Sequence, residues 1–192
     1  MGERWFAWLM TQASHWHEPL VAARKRALME GLRGDVLEIG AGAGGNLRYL
    51  HREVKWTGYE PNRRLAAQIA SGTVIARKFE VDGRLYDAVI ATLVLCSVQD
   101  LDSTLRGIYE CLRPGGQFVF VEHVGAARGS DLRRAQERWQ RLWSSCAGGC
   151  YPNRDTERRI RAAGFAIKSI EHFELPMWLA RPHIAGVAVK PL

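Results

Sequence analysis

The stretch VLEIGAGAGGN, residues 36–46, joins an apolar run directly to a glycine-rich turn. The run is short and rich in aliphatic residues, which is typical of a buried strand. In the turn, Gly40, Gly42 and Gly45 have the spacing G-x-G-x-x-G, which occurs where a strand leads into a helix beside a bound nucleotide. Backbone N–H groups at the start of such a helix favour an anionic group. The stretch therefore predicts the first strand of an α/β fold with a cofactor site at its end.

Apolar strands and helical segments alternate after this stretch. Strands are predicted at DVLEIG, KWTGYE, TVIA, YDAVIATLVL and QFVFVEHV. Such alternation, with nearly continuous Val, Ile and Leu in the strands, is typical of a parallel sheet covered by helices on both faces. Two further strands, AIKSIEHFEL and HIAGVAVK, have too short a connection to be parallel neighbours. The predicted fold is Rossmann-like α/β, with a seven-stranded, mostly parallel sheet and an antiparallel last strand.

No repeat or low-complexity linker divides the chain of 192 residues, so we expect a single domain over residues 1–192. Residues 1–33 have helical periodicity that is interrupted near Pro19, which predicts two helical segments. We expect them to form a helical cap over the active site.

The first of these segments is rich in aromatic residues, namely Trp5, Phe6, Trp8 and Trp16. They could close over an apolar acceptor and exclude water, or they could simply pack on the sheet. A third interpretation is peripheral contact with a membrane surface, together with the basic residues 24–26. The apolar run WFAWLM is far shorter than the roughly 20 residues that a membrane span needs.

The formal net charge of +7 is compatible with anionic partners. However, the arginines are scattered along predicted helices, and no motif of a nucleic-acid-binding module accompanies them. We therefore interpret them as solvated helix faces, and we expect a small-molecule partner and no nucleic acid.

The chain contains four cysteines, Cys96, Cys111, Cys146 and Cys150. Their spacing is not that of a paired zinc motif, which favours reduced thiols and a cytoplasmic location. No metal site is predicted. Cys146 and Cys150 are better interpreted as small residues of a glycine-rich loop than as a metal or redox pair.

The charges at the ends of two strands distinguish between cofactors. Glu38 lies two residues before Gly40, where its carboxylate would repel a pyrophosphate but attract an ammonium or sulfonium group. Glu60 ends the second strand and could accept hydrogen bonds from two ribose hydroxyls, which suits either a dinucleotide or S-adenosylmethionine. The pattern E-x-G-x-G-x-G, with Glu38 included, therefore favours S-adenosylmethionine.

Several motifs bear a resemblance to a known family. VLEIGAGAGGN, YEPN, YDAVIATLVLCSV and LRPGGQFVFVEHV resemble motifs of the class I S-adenosylmethionine-dependent methyltransferases. VLCSV, EHV, GGCYPNRDT and RPHIAGVAVK together resemble the small alkyl-thiol S-methyltransferases, the seventh group of methyltransferase-like proteins, and their bacterial relatives. The resemblance covers the chain from about residue 20, and it implies S-methylation of a small, apolar thiol with S-adenosylmethionine as cofactor.

The resemblance also implies site residues. The methionine part of the cofactor would lie against Glu38 and the loop formed by Gly40, Ala41, Gly42, Gly44 and Asn46. The ribose would lie against Glu60, Pro61 and Asn62, and the sulfonium would lie beside the segment that begins at Thr92 and Leu93. Ile75 and Arg77 occupy the region where related enzymes commonly carry an acidic partner for adenine.

His123 is the predicted catalytic residue. It ends the fifth strand, and the ordinary pKa of histidine suits a base or a group that stabilises a thiolate. A histidine that is merely hydrogen-bonded in a loop is an equally good interpretation. Glu122 precedes it on the strand, so only one of the two side chains should point into the pocket.

Other functions stay open at this point. N- or O-methylation of a small metabolite or lipid leaves the same residue pattern as S-methylation. An oxidoreductase that binds NAD(P), and a cofactor-binding protein without catalytic activity, are lesser alternatives.

Overall fold

The computed structural model describes residues 3–192, and it describes the side chains of residue 12 and of residues 16–192. The helices are α1 (Glu3–Met29), a 3₁₀ helix (Gly45–Tyr49), α2 (Arg63–Ala66), α3 (Leu101–Cys111), α4 (Asp131–Cys146) and α5 (Thr156–Ala162). The strands are β1 (Asp35–Ile39), β2 (Lys55–Tyr59), β3 (Thr73–Ile75), β4 (Tyr86–Thr92), β5 (Leu112–His123), β6 (Ala166–Glu174) and β7 (Pro182–Val189). No helix in this described part is long and apolar enough to span a bilayer.

The seven strands form one sheet in the order β3-β2-β1-β4-β5-β7-β6. The pairs β1–β2, β1–β4, β2–β3 and β4–β5 are parallel, whereas β7 is antiparallel to both β5 and β6. This confirms the predicted α/β fold with a mostly parallel, seven-stranded sheet and an antiparallel last strand. The strand order reverses between β1 and β4, and ligands of such sheets bind at the carboxyl ends of the strands near this point.

Apolar side chains cover both faces of the sheet. One face packs on α3 and α5 through residues such as Leu105, Ile108 and Ile160. The other face packs on α1 through Val21 and Met29. Since side chains alternate along a strand, residue parity decides which face each site residue occupies.

α1 differs from the prediction, because it is one helix that continues through Pro19. The proline removes one backbone hydrogen bond, but the helix is held by contacts on both sides of it. His17 contacts His183 at 3.4 Å, and Val21 is fully buried against the sheet. The prediction of two helical segments was therefore wrong.

Three further elements are shorter than predicted. The helical segments predicted between the first three strands are only the 3₁₀ helix and α2, which has four residues. The expected strand over residues 86–95 ends at Thr92. This strand ends early because Leu93 has a φ of 52°, in the left-handed region, where the chain turns out of the sheet.

Candidate active site

The glycine-rich loop after β1 is tied to the end of β2. Gly40 has a φ of 66°, and a Cβ atom at this position would lie 2.4 Å from the side chain of Val94. Glycine is thus required here for its conformation and for its lack of a side chain. The N–H of Ala41 donates to the carbonyl of Tyr59 at 3.0 Å, and the N–H of Gly42 donates to Glu60 Oε2 at 2.9 Å.

Glu38 is buried at the end of β1, with 1% of its surface exposed. Its carboxylate accepts one hydrogen bond from Asn46 Nδ2 at 2.8 Å and one from Trp56 Nε1 at 2.9 Å. Burial nevertheless raises the pKa of Glu38 from 4.5 to about 7, because the two donors and the positive charge of Lys25 offset only part of the desolvation. A cationic group beside Glu38 would favour its charged form.

Asn46 connects the ends of β1 and β4. Besides Glu38, its Nδ2 donates to Thr92 Oγ1 at 2.9 Å. Its own Oδ1 is buried and has no hydrogen-bond partner among the described residues. A buried acceptor without a partner is costly, so this oxygen is available to a donor of a bound molecule.

Glu60 is buried at the end of β2, and its carboxylate accepts two backbone N–H groups. One comes from Gly42 and the other from Asn62, the latter at 2.8 Å. Desolvation raises the pKa of Glu60 despite these hydrogen bonds. Asn62 caps α2, since its side chain accepts from the N–H groups of Arg64 and Leu65, and Pro61 is exposed beside it.

The segment after β4 is held by Glu122, the penultimate residue of β5. Glu122 Oε1 accepts the N–H groups of Val94 and Leu95, both at 2.9 Å. The side chain lies on the face that packs on α3 and α5, because it alternates with His123 along the strand. Burial raises the pKa of Glu122 to about 7.

His123 lies on the opposite face, the same one as Glu38 and Thr92. Its Nε2 lies 3.0 Å from the Sγ of Cys150. Its Nδ1 is buried and has no hydrogen-bond partner in the described part of the chain. The ring of His183, on the neighbouring strand β7, lies 6.1 Å from that of His123. His123 therefore lies between two buried polar side chains, those of Cys150 and His183.

α1 covers the face of the sheet on which these side chains lie. Glu18 accepts from Tyr49 Oη and from Lys25 Nζ, both at 2.6 Å, which fastens the helix to the 3₁₀ helix. Trp16 is 81% exposed and does not pack on the sheet. The side chains of Trp5, Phe6 and Trp8 lie outside the described residues, so the aromatic lid and the membrane contact stay predictions.

Arg154 and Asp155 are adjacent in sequence but have different partners. The guanidinium of Arg154 donates to the carbonyls of Leu95 and Val98. Asp155 is paired with arginines of another segment, Arg128 at 2.8 Å and Arg133 at 2.9 Å.

The structure also contains a cluster of two thiols and an imidazole that the spacing of these residues in the sequence does not predict. Cys96, His123 and Cys150 are buried, and their donor atoms all lie within 4.8 Å of one another. Cys146, which the sequence places nearer to Cys150, is exposed and free. The available indication was topological, since Cys96 follows the carboxyl end of β4 and His123 ends the adjacent strand β5.

The predicted residues thus fall into two connected groups at the carboxyl edge of the sheet. Glu38, Asn46 and Thr92 share one hydrogen-bond network, and Glu60 is joined to the glycine loop. His123 forms the second group, beyond β4, together with Cys150, which the sequence did not predict as a site residue. This arrangement has the form of a cofactor site next to a site for a second molecule.

Comparison with known proteins agrees with this geometry. The human thiol S-methyltransferase TMT1A is 30% identical over 98% of this chain and 87% of its own length. Two solved structures have similar folds. A chain of the complex between the Haloferax volcanii Trm112 methyltransferase activator and a methyltransferase gives a TM-score of 0.73 at 16% identity, covering 99% of this chain and 97% of that chain. The N-methyltransferase NodS from Bradyrhizobium japonicum WM9, in complex with S-adenosyl-L-homocysteine, gives 0.68 at 14% identity, covering 93% and 87%.

A family model described as a methyltransferase domain matches residues 13–170. The match covers most of the chain and includes all the strands that carry the predicted site residues. The chain therefore belongs to the methyltransferase domain family, and it is a methyltransferase related over nearly its full length to thiol S-methyltransferases.

Proposed function

We propose that this methyltransferase transfers the methyl group of S-adenosylmethionine to the sulfur of a small, apolar thiol. The observation that carries the proposal is the identity of 30% with a thiol S-methyltransferase over 98% of the chain. Identity at this level over the full fold favours a shared reaction class, and the residues at the carboxyl edge of the sheet are compatible with it.

The residues after β1 and β2 fit this cofactor. Glu38 is a buried carboxylate whose ionisation a neighbouring cation would favour, and Asn46 Oδ1 is a buried acceptor without a partner among the described residues. A Cβ atom at Gly42 or Gly45 would contact nothing within 4 Å, so the loop leaves open space at its surface. These residues would hold the methionine part of the cofactor, and Glu60 would accept from the ribose hydroxyls. When bound, the cofactor supplies an electrophilic methyl group on a positively charged sulfur.

The work of the protein in such a transfer is positioning and the removal of water. Thr92 and Leu93 would border the reacting groups, since β4 ends beside the Glu38–Asn46 network. α1 covers this face of the sheet and would limit the access of solvent.

His123 is the residue that we propose to act on the acceptor. A thiol reacts as its thiolate, so a base or a positive group beside the sulfur is sufficient. His123 is buried at the end of β5 and has one ring nitrogen without a partner in the described structure. Its position next to the end of β4 supports a role on the acceptor side of the proposed site.

The proposal is tested by an acceptor screen with methyl-labelled S-adenosylmethionine. Small alkyl thiols, amines and phenols are compared at equal concentrations, with a boiled-protein control. We expect label on the thiols alone. Label on amines or phenols but not on thiols would replace S-methylation by N- or O-methylation. Calorimetric binding of NADH, but not of S-adenosylmethionine, would contradict the cofactor.

A further inference from the structure

We propose that Cys96, His123 and Cys150 form a binding site for one zinc ion beside the cofactor site. The three side chains are buried, and the two sulfur atoms and the imidazole nitrogen lie within 4.8 Å of one another. Tetrahedral zinc with sulfur and nitrogen ligands requires a separation of this order, because each bond is about 2.0–2.3 Å long. Small side-chain movements are therefore sufficient to admit the ion.

The protein fold brings the three ligands together without a metal. Cys96 lies in the segment after β4, His123 ends β5, and Cys150 lies in the loop after α4. The carbonyl of Cys96 accepts the N–H of Tyr151 at 2.8 Å. This hydrogen bond joins the segment after β4 directly to the loop after α4. Arg154 strengthens the same junction through the carbonyls on both sides of Cys96. Such preorganisation lowers the cost of assembling a site.

Two neighbouring groups would stabilise thiolates bound to a metal, although the hydrogen bond with Cys96 and burial raise the pKa of the Cys150 thiol in the metal-free protein. Trp143 Nε1 donates to the Sγ of Cys150 at 3.1 Å, as groups around metal-bound sulfur commonly do. The charge of Arg154 is near enough to interact with both thiols. On binding, each thiol gives its proton to the solvent, and the two thiolates balance the two charges of the ion.

Zinc is the metal that this donor set favours. Two thiolates and one imidazole are borderline-soft ligands and suit zinc better than magnesium or calcium. A set of three protein ligands leaves the fourth tetrahedral position for another molecule, which is the pattern of catalytic zinc sites. No fourth ligand of this kind belongs to the cluster among the described residues.

We infer that the fourth position takes the sulfur of the acceptor thiol, a point that rests on the proposed function. Zinc lowers the pKa of a coordinated thiol and holds it as the thiolate. His123 Nε2 would then bind the ion, and stabilisation of the thiolate would come from the metal. The thiol proton would leave to the solvent.

Metal content of the reduced protein, purified without a metal-affinity resin and equilibrated with zinc, tests the site directly. After removal of free zinc, we expect about one zinc ion per chain in the wild type. Cys96→Ser and Cys150→Ser should each weaken zinc binding by at least about 100-fold in a chelator competition. Cys146→Ser is the matched control, because Cys146 is exposed and only four residues from Cys150, and it should bind like the wild type.

Cobalt substitution of the wild type keeps the test independent of whether the variants fold. Tetrahedral coordination by two thiolates should give intense visible bands and a sulfur-to-cobalt charge-transfer band. Addition of 2-mercaptoethanol should then shift these bands if the fourth position accepts a thiol.

The outcomes separate the two parts of the proposal. A wild type that retains no zinc and gives only the weak spectrum of octahedral cobalt overturns the site, and the contact between His123 and Cys150 is then a simple hydrogen bond. Equal loss of zinc in Cys146→Ser overturns the assigned ligands. Cobalt bands that 2-mercaptoethanol does not shift overturn the role of the fourth position, and the acceptor screen tests S-methylation separately.

Discussion

The side-chain amide of Asn46 donates a 2.8 Å hydrogen bond to the buried carboxylate of Glu38. This contact joins the loop that follows β1 to the strand itself, on the face that α1 covers. The oxygen of the same amide, Asn46 Oδ1, is buried and has no partner among the described residues. The pair therefore supplies a positioned carboxyl group, whose charged form a bound cation would favour, and a free acceptor at the same point.

Replacement of Glu38 by glutamine should change how stability depends on pH. Burial raises the pKa of Glu38 from 4.5 to about 7 in the folded state, while Lys25 lowers it and Glu60 raises it. Folding therefore takes up a proton, and the free energy of unfolding should fall as pH rises from about 4.5 to 7. A shift of this size corresponds to on the order of 3 kcal/mol.

Urea denaturation of the wild type and Glu38→Gln at several pH values in this range measures the effect. The comparison must be made as a difference, because burial lowers the pKa of His17 to about 4 and gives a contribution of opposite sign. That contribution is lost as pH falls from 6.5 towards 4 and is common to both proteins. Identical slopes for the two proteins would show that Glu38 titrates normally.

Replacement of Glu60 should weaken cofactor binding. Glu60→Ala removes the proposed acceptor of the ribose hydroxyls, which should cost about 1–3 kcal/mol of binding free energy for S-adenosylmethionine. Glu60→Gln keeps one acceptor oxygen for the backbone and should bind with intermediate affinity. Titration calorimetry measures both, with Glu53→Ala as the control because the Glu53 side chain is 70% exposed. Unchanged affinity in Glu60→Ala would remove this residue from the site.

Gly40 and Gly45 belong to the same sequence motif but should respond differently to alanine. In Gly40→Ala the new Cβ would lie 2.4 Å from Val94 Cγ2 in a left-handed conformation, whereas at Gly45 it would contact nothing within 4 Å. We expect Gly40→Ala to lower the free energy of unfolding by about 2–4 kcal/mol and Gly45→Ala to change it by less than about 0.5 kcal/mol.

The double variant Gly40→Ala/Val94→Ala separates the two causes at this position. Removal of the Val94 methyl groups relieves the closest overlap but leaves Val94 Cβ at 2.9 Å and the conformational strain unchanged, so only part of the stability should return. Equal thermal stability of the two single glycine variants would contradict the close approach of the loop to Val94.

Glu122 should matter for stability through the backbone that it holds. Glu122→Ala leaves the N–H groups of Val94 and Leu95 without their acceptor and should lower the free energy of unfolding by about 2–4 kcal/mol. Glu122→Gln retains a carbonyl oxygen and should cost less. Denaturation curves with the exposed Glu110→Ala as a control provide the measurement, and equal stability of all three variants would exclude this role.

His123→Ala should reduce turnover much more than cofactor affinity. The side chain lies beyond β4, on the side proposed for the acceptor, and its hydrogen-bond partner in the described structure is Cys150 rather than the glycine loop or Glu60. Steady-state rates with the best thiol and calorimetric affinity for S-adenosylmethionine measure the two effects separately. His172→Ala, at a position where the side chain is 62% exposed, should leave both unchanged. A normal rate in His123→Ala would exclude an action of this residue on the acceptor.

The sequence predicted those features that depend on local periodicity. The aliphatic runs of β1, β4 and β5 and the glycine spacing after β1 are local patterns, and they predicted the strands of the sheet and the position of the proposed cofactor site. Element ends were less predictable, since contacts that are distant in sequence decide them. For example, Glu122 accepts the N–H groups of Val94 and Leu95, which lie 28 and 27 residues earlier in the chain. These hydrogen bonds help to hold the turn that follows β4.

The thiol–imidazole cluster illustrates the same limit. Cys96 and Cys150 are neighbours only because the loop after α4 returns to the end of β4, where the N–H of Tyr151 donates to Cys96. No spacing rule expresses that return. Similarly, α1 could not be predicted as one helix, because the contacts that hold it across Pro19 reach β7 and the 3₁₀ helix.

The position of β7 in the sheet has a consequence for biosynthesis. β7 is the last of the seven strands in chain order, yet it lies between β5 and β6. While the ribosome is still making this strand, β5 has an unpaired edge and β6 has no partner in the sheet. Nascent chains should therefore expose unpaired, aggregation-prone strand edges until residues 182–189 emerge from the ribosome. Chaperones that shield such edges would be most needed in that interval.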